Sequence, residues 1–162
     1  MSNREDQELS GESITAEGLR ELRAEVDELE GPARLAMAAR IKAARELGDL
    51  KENADYHIAK EDQAHLETKI KRLRMRLRDA VVVEVGDDPE TFAFGRTAEI
   101  LDDSGNSHAW KLVGPTEADL SAGRLSAESP VGRALRDGRV GESIVVETPR
   151  GDREFKIQKL VG

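Results

Sequence analysis

Ala44-Arg45-Glu46-Leu47-Gly48-Asp49-Leu50-Lys51-Glu52-Asn53-Ala54-Asp55-Tyr56-His57 is the stretch on which the reading of this chain turns. A helical pattern ends at its start and a second begins at its end. Upstream, Leu19, Leu22, Val26 and Leu29 recur at alternating spacings of three and four, the signature of an apolar helical stripe of coiled-coil type. Thr15 precedes this run as a candidate N-cap. Gly31-Pro32 should bend or briefly interrupt the helix, and the stripe resumes with Leu35, Ala38, Ile41 and Ala44. Downstream, Leu66, Ile70, Leu73, Leu77 and Ala80 share one face of a helix expected from about Glu52 to Arg78. With Gly48 as the stop signal and a connection reduced to Gly48-Asp49-Leu50, the helices must run antiparallel and pair their apolar faces. A helix of roughly 30 residues extends ~45 Å, so the connection forms the tip of a rod.

Beyond Ala80 the period changes. Segments 81–85, 96–101, 109–113, 143–147 and 154–160 read as short strands separated by turn residues. Ser129-Pro130 opens a short capped helix through Leu135. The expected fold class is therefore α+β. Residues 1–12 form a flexible N-terminal extension, 13–80 a coiled-coil hairpin, and 81–162 a small antiparallel β domain with one short helix.

Composition narrows the function. Charged residues are 36% of the 162-residue chain and aromatics 3%, which suits long exposed helices better than one large core. A formal net charge of −8 argues against general duplex binding, although local basic patches stay open. The absence of cysteine removes disulfides, thiolate metal sites and cysteine nucleophiles, and His57, His65 and His108 form no convincing metal cluster. No stretch reads as a signal peptide or a membrane span, so the sequence points to a soluble cytoplasmic protein without a membrane partner.

Three acids, Asp49, Glu52 and Asp55, crowd the turn between the helices. One reading is local: Asp49 as N-cap of the second helix and Glu52 three residues on, a capping-box spacing. The other begins from location. Magnesium is commonly held by one or two carboxylates together with phosphates, so exposed acids at a rod tip amount to half a site whose other half lies on a partner. The two roles are compatible. Arg45 and Lys60 flank the tip as candidate phosphate or channel contacts, and Lys69, Lys71, Arg72, Arg74, Arg76 and Arg78 form a basic run near the hairpin base.

The segment 48–57, with Ala44-Arg45 before it and Ala59-Lys60-Glu61 after it, resembles the hairpin-tip signature of the Gre transcript cleavage factors. The likeness continues at Ile14-Thr15-Ala16-Glu17-Gly18-Leu19, Phe94-Gly95, Trp110 to Gly114, Ser129 to Leu135 and Thr148-Pro149, spanning about Ile14 to Leu160. It implies a coiled-coil hairpin inserted through the secondary channel of bacterial RNA polymerase and an FKBP-like domain docked at the channel entrance. It also implies that the factor is no nuclease itself. Asp49 and Glu52, supported by Asp55, would help the polymerase hold a second Mg and its water for cleavage of the nascent RNA 3′ end. Mg would be supplied at the polymerase active site rather than bound tightly by the free protein, which is expected to be a monomer. Arg45 and Lys60 would face RNA or channel, and the modest basic patch leans towards the GreA type. Gly31-Pro32, Leu19 and Asp55 depart from the family's usual residues. A Gre-like inhibitor of the polymerase, a structural coiled-coil interaction module and a prolyl isomerase are the rival readings.

Overall fold

A computed structural model of the chain describes residues 11–161. The expectation of a flexible extension at 1–12 falls largely outside them. Its last residue, Glu12, accepts hydrogen bonds through one carboxylate oxygen from Thr116 N (2.7 Å) and Thr116 Oγ1. Contacts along the chain gather into two units, one built from 11–18 together with 80–161 and one from 19–79.

The first helix, α1, covers Ala16–Glu28 and is followed by a π turn at Leu29–Ala33 and by α2, Arg34–Arg45. Thr15 caps α1 as expected, its Oγ1 accepting from Gly18 N at 3.0 Å. The antiparallel partner is α3, Ala54–Asp79. At 26 residues it is roughly 39 Å long. Leu22, Val26, Ile41, Ala44, Ala59, Ile70 and Leu73 are buried in this unit. Ion pairs flank the seam: Glu25 with Lys69 (3.7 Å), Arg34 with Glu67 (2.8 Å), Arg40 with Asp62 (2.6 Å) and Glu30 with Arg74.

Two expectations for the hairpin are corrected. Leu35 and Ala38 are exposed, Leu35 at 73%, whereas Met37 is half-buried and Ile41 and Ala44 face inward. The cause is the π turn around Gly31-Pro32. Continued without interruption, the spacing of Leu19, Leu22, Val26 and Leu29 would carry Ala36, Arg40 and Ala43 into the seam. A π turn inserts one residue, and the inward positions become 37, 41 and 44. Widening the turn also relieves the clash of the Pro32 ring with the preceding turn, where proline has no N–H to offer. The second correction concerns the connection, which spans 46–53 rather than three residues.

In the other unit, β1 (Ser13–Ile14) pairs in parallel with β2 (Val81–Val82). The expected strand 81–85 is thus only two residues long, extended by a hydrogen bond from Val83 N to Ile14 O (3.0 Å). A second small sheet joins β3 (Thr91–Phe92) to β7 (Gly138–Arg139). The main sheet contains β4 (Thr97–Asp102), β5 (Ser107–Val113), β6 (Arg124–Ser126), β8 (Ser143–Thr148) and β9 (Gly151–Val161) in the order β6-β5-β4-β9-β8. Its pairings are antiparallel except β5 with β6. Helix α4, Pro130–Leu135, is capped by Ser129, whose Oγ accepts from Gly132 N at 3.0 Å. Phe92, Ile100, Leu112, Leu135, Phe155 and Ile157 lie at the centre of the core, each at most 2% exposed.

Glu117 ties 11–18 to this unit. Its buried carboxylate accepts from Thr15 N (3.0 Å), Thr15 Oγ1 and Gly114 N (3.2 Å), so the burial of the charge is compensated by three donors.

Candidate functional site at the hairpin tip

Helix α2 ends at Arg45, and the chain leaves it through Gly48, whose φ of +134° lies where a side chain would be strained. The capping-box expectation for Asp49 and Glu52 is corrected here. Asp49 Oδ1 instead accepts from Lys51 N at 3.0 Å, an Asx turn that shapes the loop. The cap of α3 is Asn53, whose Oδ1 accepts from Tyr56 N at 3.0 Å, three positions on. The Asn53 side chain reaches further. Its Nδ2 donates to Ala44 O, in the last turn of α2, at 2.5 Å. Asn53 thereby touches both ends of the connection.

Asp49, Glu52 and Asp55 are exposed, and all three line one shallow open concavity with Leu47, Asn53 and Ala54. Relieved of capping, Asp49 keeps Oδ2 clear of the turn hydrogen bond, and the carboxylate of Asp55 sits in the first turn of α3, where the helix dipole favours an anion. Among the described residues no three or more acids or histidines converge tightly enough to hold a metal ion by themselves. Oxygen donors in an open hollow, few and unconverged, fit a hard cation that takes its remaining ligands from water and phosphate.

The two candidate cations are placed differently. The guanidinium of Arg45, in the last turn of α2, lies 5.9 Å from the centroid of the Tyr56 ring, a cation–π distance that restrains it at the tip. Lys60 lies on α3 six residues past its start, about 9 Å along the axis, and its Nζ donates to Gln63 Oε1 at 3.0 Å. Tyr56 and His57 pack edge to face, with centroids 5.7 Å apart. The His57 Nε2 approaches Lys51 O at 3.4 Å.

Sequence reasoning missed the two-sided role of Asn53 and the apolar character of the tip, where Leu47, Leu50 and Ile58 are all exposed. The signal for the first was present: Asn is a strong cap residue and directly precedes the helical run. The basic run near the hairpin base is partly neutralised, Lys69 by Glu25, Arg74 by Glu30 and Arg78 by Asp79.

The family model for "Transcription elongation factor, N-terminal" matches residues 12–82, and that for "Transcription elongation factor, GreA/GreB, C-term" matches residues 87–160. The transcription elongation factor GreA of Pseudomonas aeruginosa is 39% identical over 150 residues, covering 91% of this chain and 95% of its own. GreA of Rhodospirillum rubrum is 40% identical over 146 residues, covering 89% and 93% respectively. Among solved structures, the GreA factor homolog 1 protein of Thermus thermophilus is 27% identical and covers 93% of this chain and 98% of its own, with a TM-score of 0.41, too low to add weight to the sequence matches. A helical hairpin with an acidic tip, joined to a small β unit and matched along both parts, defines a transcription elongation factor. The chain belongs to the GreA/GreB family, and its relatives place it with the GreA type.

Proposed function

We propose that this protein binds bacterial RNA polymerase, passes its hairpin tip through the secondary channel and stimulates the polymerase's own cleavage of the nascent RNA 3′ end in backtracked complexes. The observation that carries this reading is the gathering of Asp49, Glu52 and Asp55 in one exposed hollow, at the turn of a hairpin whose second helix is roughly 39 Å long. If the acids served only to cap α3, Asp49 would hold the cap position, and Asn53 holds it instead.

On this reading Mg at the polymerase active site supplies the polarisation of the phosphodiester and the activation of water. Asp49 and Glu52 are the residues that would bring additional carboxylate oxygens to that centre and would help hold the ion there. Asp55 adds negative potential at the start of α3. Arg45, restrained over Tyr56, offers its guanidinium to a phosphate of the displaced RNA end, and Lys60 contributes positive potential further down the hairpin. The protein performs no cleavage alone.

The test is RNA 3′ cleavage in a stalled, backtracked polymerase complex with Mg, with and without the protein. Faster release of short 3′ fragments supports the reading. Slower elongation with no added cleavage would replace it with the inhibitor alternative, and absence of polymerase binding would leave a structural coiled-coil module.

A further inference from the structure

The amide of Asn53 bridges the two helices at the point where the tip loop begins and ends. Its Nδ2 donates to Ala44 O at 2.5 Å and its Oδ1 accepts from Tyr56 N at 3.0 Å. The orientation of the amide is dictated by its partners, since a carbonyl requires a donor and a backbone N–H an acceptor. Capping alone needs only the acceptor, which Ser or Asp supplies equally well. The donor does something separate. Ala44 is 5% exposed, and its carbonyl belongs to the last turn of α2, where the final C=O groups lack helical partners. Leu47 N reaches this oxygen at 3.2 Å, and the amide of Asn53 adds a shorter bond from the far end of the loop.

Between the tethered ends few other contacts shape the loop, among them the approach of His57 Nε2 to Lys51 O at 3.4 Å. Asp49 is fixed by its own turn to Lys51 N. Residues 46–52 are all exposed, so packing does not place them. The separation and direction of the loop ends therefore govern where its acids stand.

We propose that Asn53 is the positioning residue of the tip: its two-way hydrogen bond closes the loop and sets the placement of Asp49 and Glu52. This rests on the cleavage-factor reading above. Catalytic constellations are sensitive to small displacements, and a shift on the order of 1 Å is enough to cost about a hundredfold in rate.

The experiment uses the full chain with Asn53→Asp, which keeps a cap acceptor and has no donor, and Asn53→Ser, which keeps a cap acceptor on a side chain too short to carry its hydroxyl to where Nδ2 meets Ala44 O. Maximal RNA cleavage at saturating factor, affinity for polymerase, thermal unfolding and amide hydrogen exchange of residues 46–52 in the free protein are measured together. The expected result is a fall in maximal cleavage of about ten- to a hundredfold, faster exchange in the loop, and affinity within about twofold of the wild type. Cleavage at the wild-type rate in both variants overturns the proposal, whether or not exchange quickens, because loop closure would then not place the acids. Lost cleavage with unchanged exchange and weakened polymerase affinity overturns it too, assigning Asn53 to the interface. A wild-type protein that binds polymerase without stimulating cleavage refutes the underlying reading, and the exchange arm then still decides whether Asn53 orders the loop.

Discussion

Asp102 stands at the end of β4 with its side chain nearly buried, accepting from His108 Nε2, Ser104 N and Asn106 N, each at 2.9 Å. The His108 hydrogen bond above all, with the two backbone donors, holds its carboxyl below the ordinary carboxylate range against the opposing effect of burial. A depressed folded value means that the stabilisation is present above the unfolded carboxylate's value and is lost as pH falls through the folded one. Asp102→Asn should therefore lower stability at neutral pH and reduce the further loss on acidification. Acid unfolding followed by circular dichroism reads this, and equal losses in variant and wild type would show that Asp102 is not the group involved. At the same scale, the tip acids were legible in the sequence because three carboxylates gather at the Gly48 turn between two helical runs. It did not reveal Asn53 as the cap, since Asp49 and Glu52 satisfy the capping-box spacing equally well and only the length of the loop decides between them. Glu117 was equally hidden, because its partners Thr15 and Gly114 are distant or neutral in the sequence and become donors only once the chain closes.

At the scale of elements, the hairpin was legible because its period is long and repeated, and the second half was legible as a set of strands. Of the five strands of two or three residues, β2 fell within the expected 81–85 and β1, β3, β6 and β7 were not read, since such segments are too short for alternation to register and depend on partners far along the chain. The register of α2 was read correctly at Ile41 and Ala44 and missed at Leu35 and Ala38, for a different reason. Gly31-Pro32 announces an interruption without saying how many residues it inserts, and a one-residue π insertion rotates every later position by about 100°. That register is testable. Ile41→Ala should cost about 2–4 kcal/mol in the hairpin, whereas Leu35→Ala should stay within about 0.5 kcal/mol; a larger loss at Leu35 would contradict the π register. Two glycines make a second contrast. A Cβ at Gly31 meets nothing within 4 Å, so Gly31→Ala should be neutral or stabilising by up to about 1 kcal/mol. A Cβ at Gly114 would stand 1.8 Å from the Ser13 carbonyl oxygen, and Gly114→Ala should destabilise by about 1–3 kcal/mol or more as β1 is pushed aside. Thermal denaturation of the two variants checks both signs, and equal midpoints would refute the close approach at Gly114.

For the molecule as a whole, the charge is divided by place rather than spread evenly. Several cations along the hairpin are engaged by acids of the facing helix, as in Arg34 with Glu67 and Arg40 with Asp62, while among the described residues no ion pair holds Asp49, Glu52 or Asp55. Surface pairs of this kind contribute little to stability, about 0–1 kcal/mol each. The uncompensated tip is thus the feature that folding alone does not explain. Neutralising it should leave the fold intact, which separates a functional role from a structural one. The most direct measurement compares RNA 3′ cleavage in a backtracked polymerase complex stimulated by the wild type and by Asp49→Asn/Glu52→Gln, with polymerase binding measured in parallel. The account predicts that the double variant folds and binds but loses stimulation by about a hundredfold or more; stimulation equal to the wild type would contradict it.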